Sequence, residues 1–149
     1  MHSPILAPVV ALVAWTMVMW LWMYATRIPA MKRAGIESKS RVGNRGGSLD
    51  ELLPEQAQWK AHNYNHLLTE PTLFYTICIV LALCGHGDGF NLTIAWAYVG
   101  LRVAHSLVQA IINRLIARFP LFALSSVCII ILVVRAAIVV CPCDGALTT

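Results

Sequence analysis

The chain has 149 residues, of which 58% are hydrophobic and 12% charged, with a formal net charge of +4. Soluble domains carry roughly 25% charged residues, so an ordinary water-soluble globule is excluded and a lipid-embedded one is implied. The excess of basic residues reads as a topology signal rather than as a nucleic-acid patch, and nucleic acid is not among the expected partners.

The first apolar run, Ile5 to Thr26, is long enough to cross a ~30 Å hydrocarbon core, which takes ~20 helical residues. No Lys or Arg precedes it and the charges follow it, which argues for a retained membrane helix over a cleavable signal. The connection 27–54 carries Arg27, Lys32, Arg33, Lys39, Arg41 and Arg45, with Gly43, Gly46, Gly47 and Ser48 among them. It reads as a loop over a cavity mouth or as a solvated linker against anionic lipid heads.

Pro54 suits the start of a second helix over 55–83, whose first part is polar and whose apolar part holds Glu70. The turn from Cys84 to Asn91 has no basic residue. Its alternating Gly85, Gly87 and Gly89 lack the following Lys-Ser/Thr of a phosphate loop, and Asn91 suits a helix N-cap. A third helix is predicted over 92–117, a fourth over 120–140, and a disordered tail over 141–149. The chain is thus expected to be one all-α, four-helix membrane bundle. Counting basic residues puts the first and third connections in the cytoplasm and both termini outside.

Along the third helix Tyr98, Arg102, His105, Ser106, Gln109 and Asn113 recur at steps of three, four and seven, which places them on one stripe. An arginine at the centre of a membrane helix costs roughly 3 kcal/mol on insertion scales, so such a stripe faces a partner or a wet cavity. On the second helix His62, Asn65, Thr69, Thr72 and Thr76 share a face. Both stripes converge on the cytoplasmic half, where Arg27, Arg114 and Arg118 close the neighbouring helices. A region rich in cations and amides suits a small soluble anion, while its apolar walls face lipid-soluble molecules.

Simpler roles stand beside these. Arg102, His105 and Asn65 could fix helix packing, Arg114, Arg118 and Arg135 could snorkel, and Glu70 could pair with His66 one turn before it. A haem or metal held by His62, His66 and His105 is disfavoured, because His66 is expected near the boundary and His105 more than two turns deeper. Cys78 and Cys128 read as small apolar residues, while Cys84, Cys141 and Cys143 gather at the outer end, where a disulfide from Cys84 to the tail is open. The Cys-Pro-Cys spacing is too sparse for zinc, and no metal site is expected.

The segments NYNHLLTEPTLFY (Asn63 to Tyr75), AWAYVGLRVAHSLVQ (Ala95 to Gln109) and NRLIARF (Asn113 to Phe119) resemble the MAPEG family, the membrane-associated proteins of eicosanoid and glutathione metabolism, bacterial members most of all. The resemblance runs from about Trp59 to Ala137, with the Arg-Val-x-His element at Arg102 and His105 its most specific part. It implies a homotrimer that holds glutathione between protomers in a cytoplasm-facing site. Residue by residue it implies glutathione contacts from Arg27, Asn65, Arg102, His105, Gln109 and Arg114, with Arg118 as the thiol-activating arginine. The implied activity is a glutathione-dependent transferase or peroxidase acting on lipophilic electrophiles, with membrane lipids as surroundings. Gln109 stands where several catalytic relatives have tyrosine and Phe119 where some have serine, so a non-enzymatic lipid-binding or scaffolding protein of the same fold is the second reading. Glu70 sits one residue later than the glutamate of bacterial relatives. That displacement of about 100° is expected to turn it off the site's lining.

Overall fold

Pro71 has no N–H to give to the carbonyl of Leu67, and this one deletion divides the second membrane crossing. The computed structural model describes residues 3–35 and 53–141. Its helices are α1 (Leu6–Arg33), α2 (Glu55–Thr69), α3 (Pro71–Leu83), α4 (Gly89–Ile111) and α5 (Leu115–Val140). Helices α2 and α3 form one 29-residue crossing broken at Glu70, so four helices are long and apolar enough to span a membrane. Next to the break, threonine hydroxyls supply donors to nearby carbonyls: Thr69 Oγ1 to Asn65 O at 3.2 Å and Thr72 Oγ1 to Thr69 O at 2.6 Å. Among the described residues there is no strand, and the expected all-α four-helix membrane bundle is what the chain forms.

Helix α1 packs on α2, α3 and α4, while α5 packs on α4 and α3. In lipid there is no hydrophobic gain from bringing apolar helices together, so close packing and interhelical hydrogen bonds must do it. The larger core joins Leu12 of α1, Phe74 and Cys78 of α3, Tyr98 of α4 and Leu132 of α5. Within it the Phe74 and Tyr98 rings stack at 4.3 Å. Met19, Leu67 and Ala110 form a smaller core toward the other end. Beside it Asn63 Nδ2 donates to Ser106 Oγ at 2.7 Å, both buried.

Three boundaries at this end differ from the sequence expectation. Helix α1 runs through Pro29 to Arg33, so Arg27 does not close it. The 92–117 helix instead ends at Ile111, because Asn113 adopts φ 51°, the left-handed region that asparagine tolerates better than most residues. Helix α5 therefore starts earlier, at Leu115, with Arg118 in its first turn.

At the opposite end Asp88, not Asn91, precedes α4. Asn91 is buried and bridges two elements: its Nδ2 donates to His86 O at 2.8 Å and its Oδ1 accepts from Arg135 Nε at 3.0 Å. Arg135, read as a snorkelling residue, is thus tied to α4 and also lies 5.5 Å from the Phe90 ring centroid. The N-terminus is held here too, by Ile5 N donating to Gly87 O at 2.9 Å. Cys78 and Cys128 are buried; Cys84 and Cys141 are exposed free thiols. Cys143, the rest of the tail and the glycine-rich part of the first connection lie outside the described residues.

Candidate functional site

Helix α4 turns its polar stripe inward: Tyr98, Arg102, His105, Ser106 and Gln109 are all buried. An α-helix repeats every 3.6 residues, so this burial is the one the spacing predicts. Asn113, the sixth member, lies beyond the helix end and reaches the same region by the turn.

Arg102 is 1% exposed, and its Nη1 donates to Glu70 Oε2 at 2.9 Å. Its Nη2 lies 3.4 Å from His66 Nδ1, and His66 Nε2 lies 3.6 Å from Glu70 Oε1. Glu70 therefore lines the site after all. The break before Pro71 leaves it at the end of one helix and the start of the next, where straight-helix geometry does not fix its bearing. The pairing with His66 is present too, as one side of a triangle with Arg102.

His66 and His105 also meet, with ring centroids 5.5 Å apart. The expected difference in depth does not exist, since α4 ends six residues early and His105 lies roughly 9 Å from its end at 1.5 Å per residue. Among the described residues no group of three His, Cys, Asp or Glu is arranged to hold a metal ion.

His105 links α4 to α5. Its Nδ1 is 3.2 Å from the carbonyl of Arg118, and its Nε2 is 3.2 Å from Gln109 Oε1. A backbone carbonyl only accepts, so Nδ1 carries the proton; a neutral ring then accepts at Nε2, and a half-turn of the Gln109 amide supplies the donor. Arg118 is thereby held through its main chain by His105 and through its side chain by Asn113, whose Oδ1 accepts from Nη1 at 2.8 Å.

His66, Glu70, His105 and Arg118, with Leu115, Phe119 and Phe122, line a cleft of about 250 Å³. One wall is ionic and amphoteric; the other is apolar and aromatic. Glu70 offsets the charge of Arg102, whereas the described side-chain partner of Arg118, Asn113, is neutral. The Nε atoms of Arg102 and Arg118 are buried with no described partner.

The other sequence candidates are not in the described lining of this cleft. Arg27 is half-buried within α1, and Asn65 is exposed on α2. Arg114 is exposed, and its carbonyl caps α5 by accepting from the amides of Ala117 and Arg118, both at 3.1 Å. Arg102 and Gln109 are buried behind the lining residues they touch.

Sequence reasoning did not single out Asn63 or Phe122. Asn63, two positions before Asn65, lies about 200° away around the helix and takes the buried place. Its sequence signal is that it lies one turn before Leu67, on the same face of the helix.

No curated relative and no solved structure matched the chain. A family model described as the MAPEG family matches residues 5–138, nearly the whole length. On that match, with four spans and the inward polar stripe of α4, the chain belongs to the MAPEG family.

Proposed function

We propose that this integral membrane protein is a glutathione-dependent transferase or peroxidase acting on lipophilic electrophiles. The observation that carries the reading is Arg118: a guanidinium whose described side-chain partner is neutral, on the wall of a cleft it shares with His66, Glu70 and His105 on one side and Leu115, Phe119 and Phe122 on the other. Members of the family commonly use glutathione, a tripeptide with two carboxylates, one ammonium group and a thiol. The cleft residues fit that inventory. Glu70 can accept from an ammonium group, and Arg118 can hold a negative charge that does not already belong to the protein.

Glutathione would supply the nucleophilic sulfur, and the chain itself would need no nucleophile. Arg118 is the catalytic residue, because a fixed cation favours the thiolate over the thiol and cannot lose its own proton there. His105 and Gln109 keep Arg118 in register through its carbonyl. Arg102 fixes Glu70, and Arg27, Asn65 and Arg114 add contacts around the rim. The aromatic wall of Phe119 and Phe122 excludes water and admits an apolar co-substrate from the bilayer.

Asn65, Thr72 and Thr76 are exposed on α2 and α3, within a crossing meant for lipid. An exposed amide at that depth calls for a protein partner. This supports a homotrimer in which Asn65 reaches the site of a neighbouring protomer. The basic residues at the end that holds Arg33 and Arg114 support a cytoplasmic placement for the cleft in a bacterial membrane, with both termini outside.

The test is titration of the purified protein with glutathione, followed by ultraviolet thiolate absorbance. Thiolate should form on the native protein. It should fall by about 100-fold in Arg118→Ala, the scale for loss of one preorganised charge-stabilising donor. A native protein that binds lipid but yields no thiolate would favour the scaffold reading.

A further inference from the structure

A second recess lies outside this cleft, between the C-terminal part of α1 and the first turns of α2. It encloses about 390 Å³ and is lined by Ala25, Thr26, Pro29, Ala30, Arg33, Pro54, Gln56, Ala57 and Lys60. Five of these residues are alanine or proline, and the described charged groups are two cations, Arg33 and Lys60. Lys60 Nζ donates to Gln56 O at 2.9 Å and lies 5.7 Å from the Trp22 ring centroid, so its side chain reaches across the seam from α2 to α1. One ammonium hydrogen is used in that bond, and two remain to donate.

The depth of the recess matters as much as its charge. Helix α1 is apolar up to Met23 and then carries Arg27, Lys32 and Arg33, while α2 begins with the polar stretch Glu55 to Lys60. The recess therefore straddles the level where hydrocarbon gives way to headgroups. Small apolar residues and two cationic donors lining one recess fit a molecule with an acyl stem and an anionic head. We propose that this groove is a headgroup site for an anionic phospholipid, with Arg33 and Lys60 holding its phosphate and the alanines and prolines of the lining packing on the start of its chains. The proposal does not depend on the glutathione reading, since it shares no residue with the cleft.

Native mass spectrometry of the detergent-purified protein, offered equal phosphatidylglycerol and phosphatidylcholine, tests it. Each Lys or Arg near an anionic surface contributes on the order of a fivefold preference, so the Arg33→Gln/Lys60→Gln double variant should lose about 20-fold in phosphatidylglycerol retention. Lys32→Gln removes the same charge one residue away from the groove and should lose little. Ala30→Trp keeps both cations, fills the recess, and should cut retention of the lipid as strongly as the double variant. Equal retention of the two lipids by the native protein, equal losses for Lys32→Gln and Arg33→Gln, or undiminished retention by Ala30→Trp would each overturn the proposal. Displacement of the lipid by millimolar inorganic phosphate would overturn it as well, by assigning the site to a free anion.

Discussion

Glu70 Oε2 lies 2.9 Å from Arg102 Nη1, and that contact ties the helix break at Pro71 to the middle of α4. The partners are unequally placed: the Arg102 side chain is 1% exposed and that of Glu70 34%. The guanidinium has no route to water and cannot discharge itself, whereas the carboxylate opens on the cleft and can be hydrated.

The inequality predicts unequal costs. Removing one partner of a fully buried pair costs about 3–5 kcal/mol. Glu70 is partly exposed, so Glu70→Gln should destabilise the bundle by about 2–3 kcal/mol, nearly all of it from the stranded guanidinium. Arg102→Met keeps the packing and strands only a hydratable carboxylate, so it should cost at least about 1 kcal/mol less. Unfolding in mixed detergent micelles, read by helical circular dichroism, gives both values. A larger loss for Arg102→Met would show that the arginine matters for more than its pairing with Glu70.

Asn113 does two jobs that substitution can separate. Its φ of 51° makes the turn, and its Oδ1 anchors Arg118 at 2.8 Å. Asn113→Gly keeps the backbone geometry and removes the anchor, so stability should hold within about 0.5 kcal/mol while glutathione thiolate falls several-fold. Asn113→Ala should lose the same signal and about 1 kcal/mol of stability besides, the cost of a left-handed residue with a Cβ and no local hydrogen bond. Equal thiolate in the native protein and Asn113→Gly would remove Asn113 from the positioning of Arg118.

The stripe on α4 was legible in the sequence because helical period and burial are the same fact seen twice: Tyr98, Arg102, His105, Ser106 and Gln109 could not share a face and point elsewhere. What lay beyond it was not. Asn113 continues the spacing, yet a single left-handed residue ends α4, and apolar Leu115 and Ile116 hide the turn inside a run that looks continuous. Glu70 escaped for a related reason. A one-residue offset means about 100° only in an unbroken helix, and the missing Pro71 N–H interrupts this one. Asn65 came from the family resemblance and from a polar stripe that is real and faces outward, whereas the buried Asn63 was singled out by neither, since in lipid outward polarity and inward polarity look alike until the neighbours are placed.

Gly87 offers a test of how separately the two ends of the bundle behave. A Cβ there would run into Ser3 Oγ and come within 2.8 Å of Ile5 Cγ2, while its carbonyl holds Ile5 N. Gly87→Ala should therefore displace the N-terminal segment at a cost of about 1–3 kcal/mol, the scale of overpacking. Amide exchange should quicken around Ile5 to Val9 and stay unchanged around Arg102 and His105, which lie beyond the larger core. Faster exchange throughout α4 would mean that the turn supports the site as well as the terminus.

His105 carries the sharpest claim about proton placement. Because the Arg118 carbonyl can only accept, the ring must bear hydrogen on Nδ1, and nitrogen chemical shifts of labelled protein should report that tautomer. Asparagine places an amide N–H close to where Nδ1 stood, so His105→Asn should keep glutathione thiolate within about threefold of native, about 0.6 kcal/mol at most. His105→Phe fills the space without a donor and leaves the carbonyl unmet, and the signal should fall about tenfold, the worth of one hydrogen bond. The two substitutions delete the same imidazole, so a common loss would mean that the ring touches the ligand itself. A split in favour of asparagine means that it acts through Arg118.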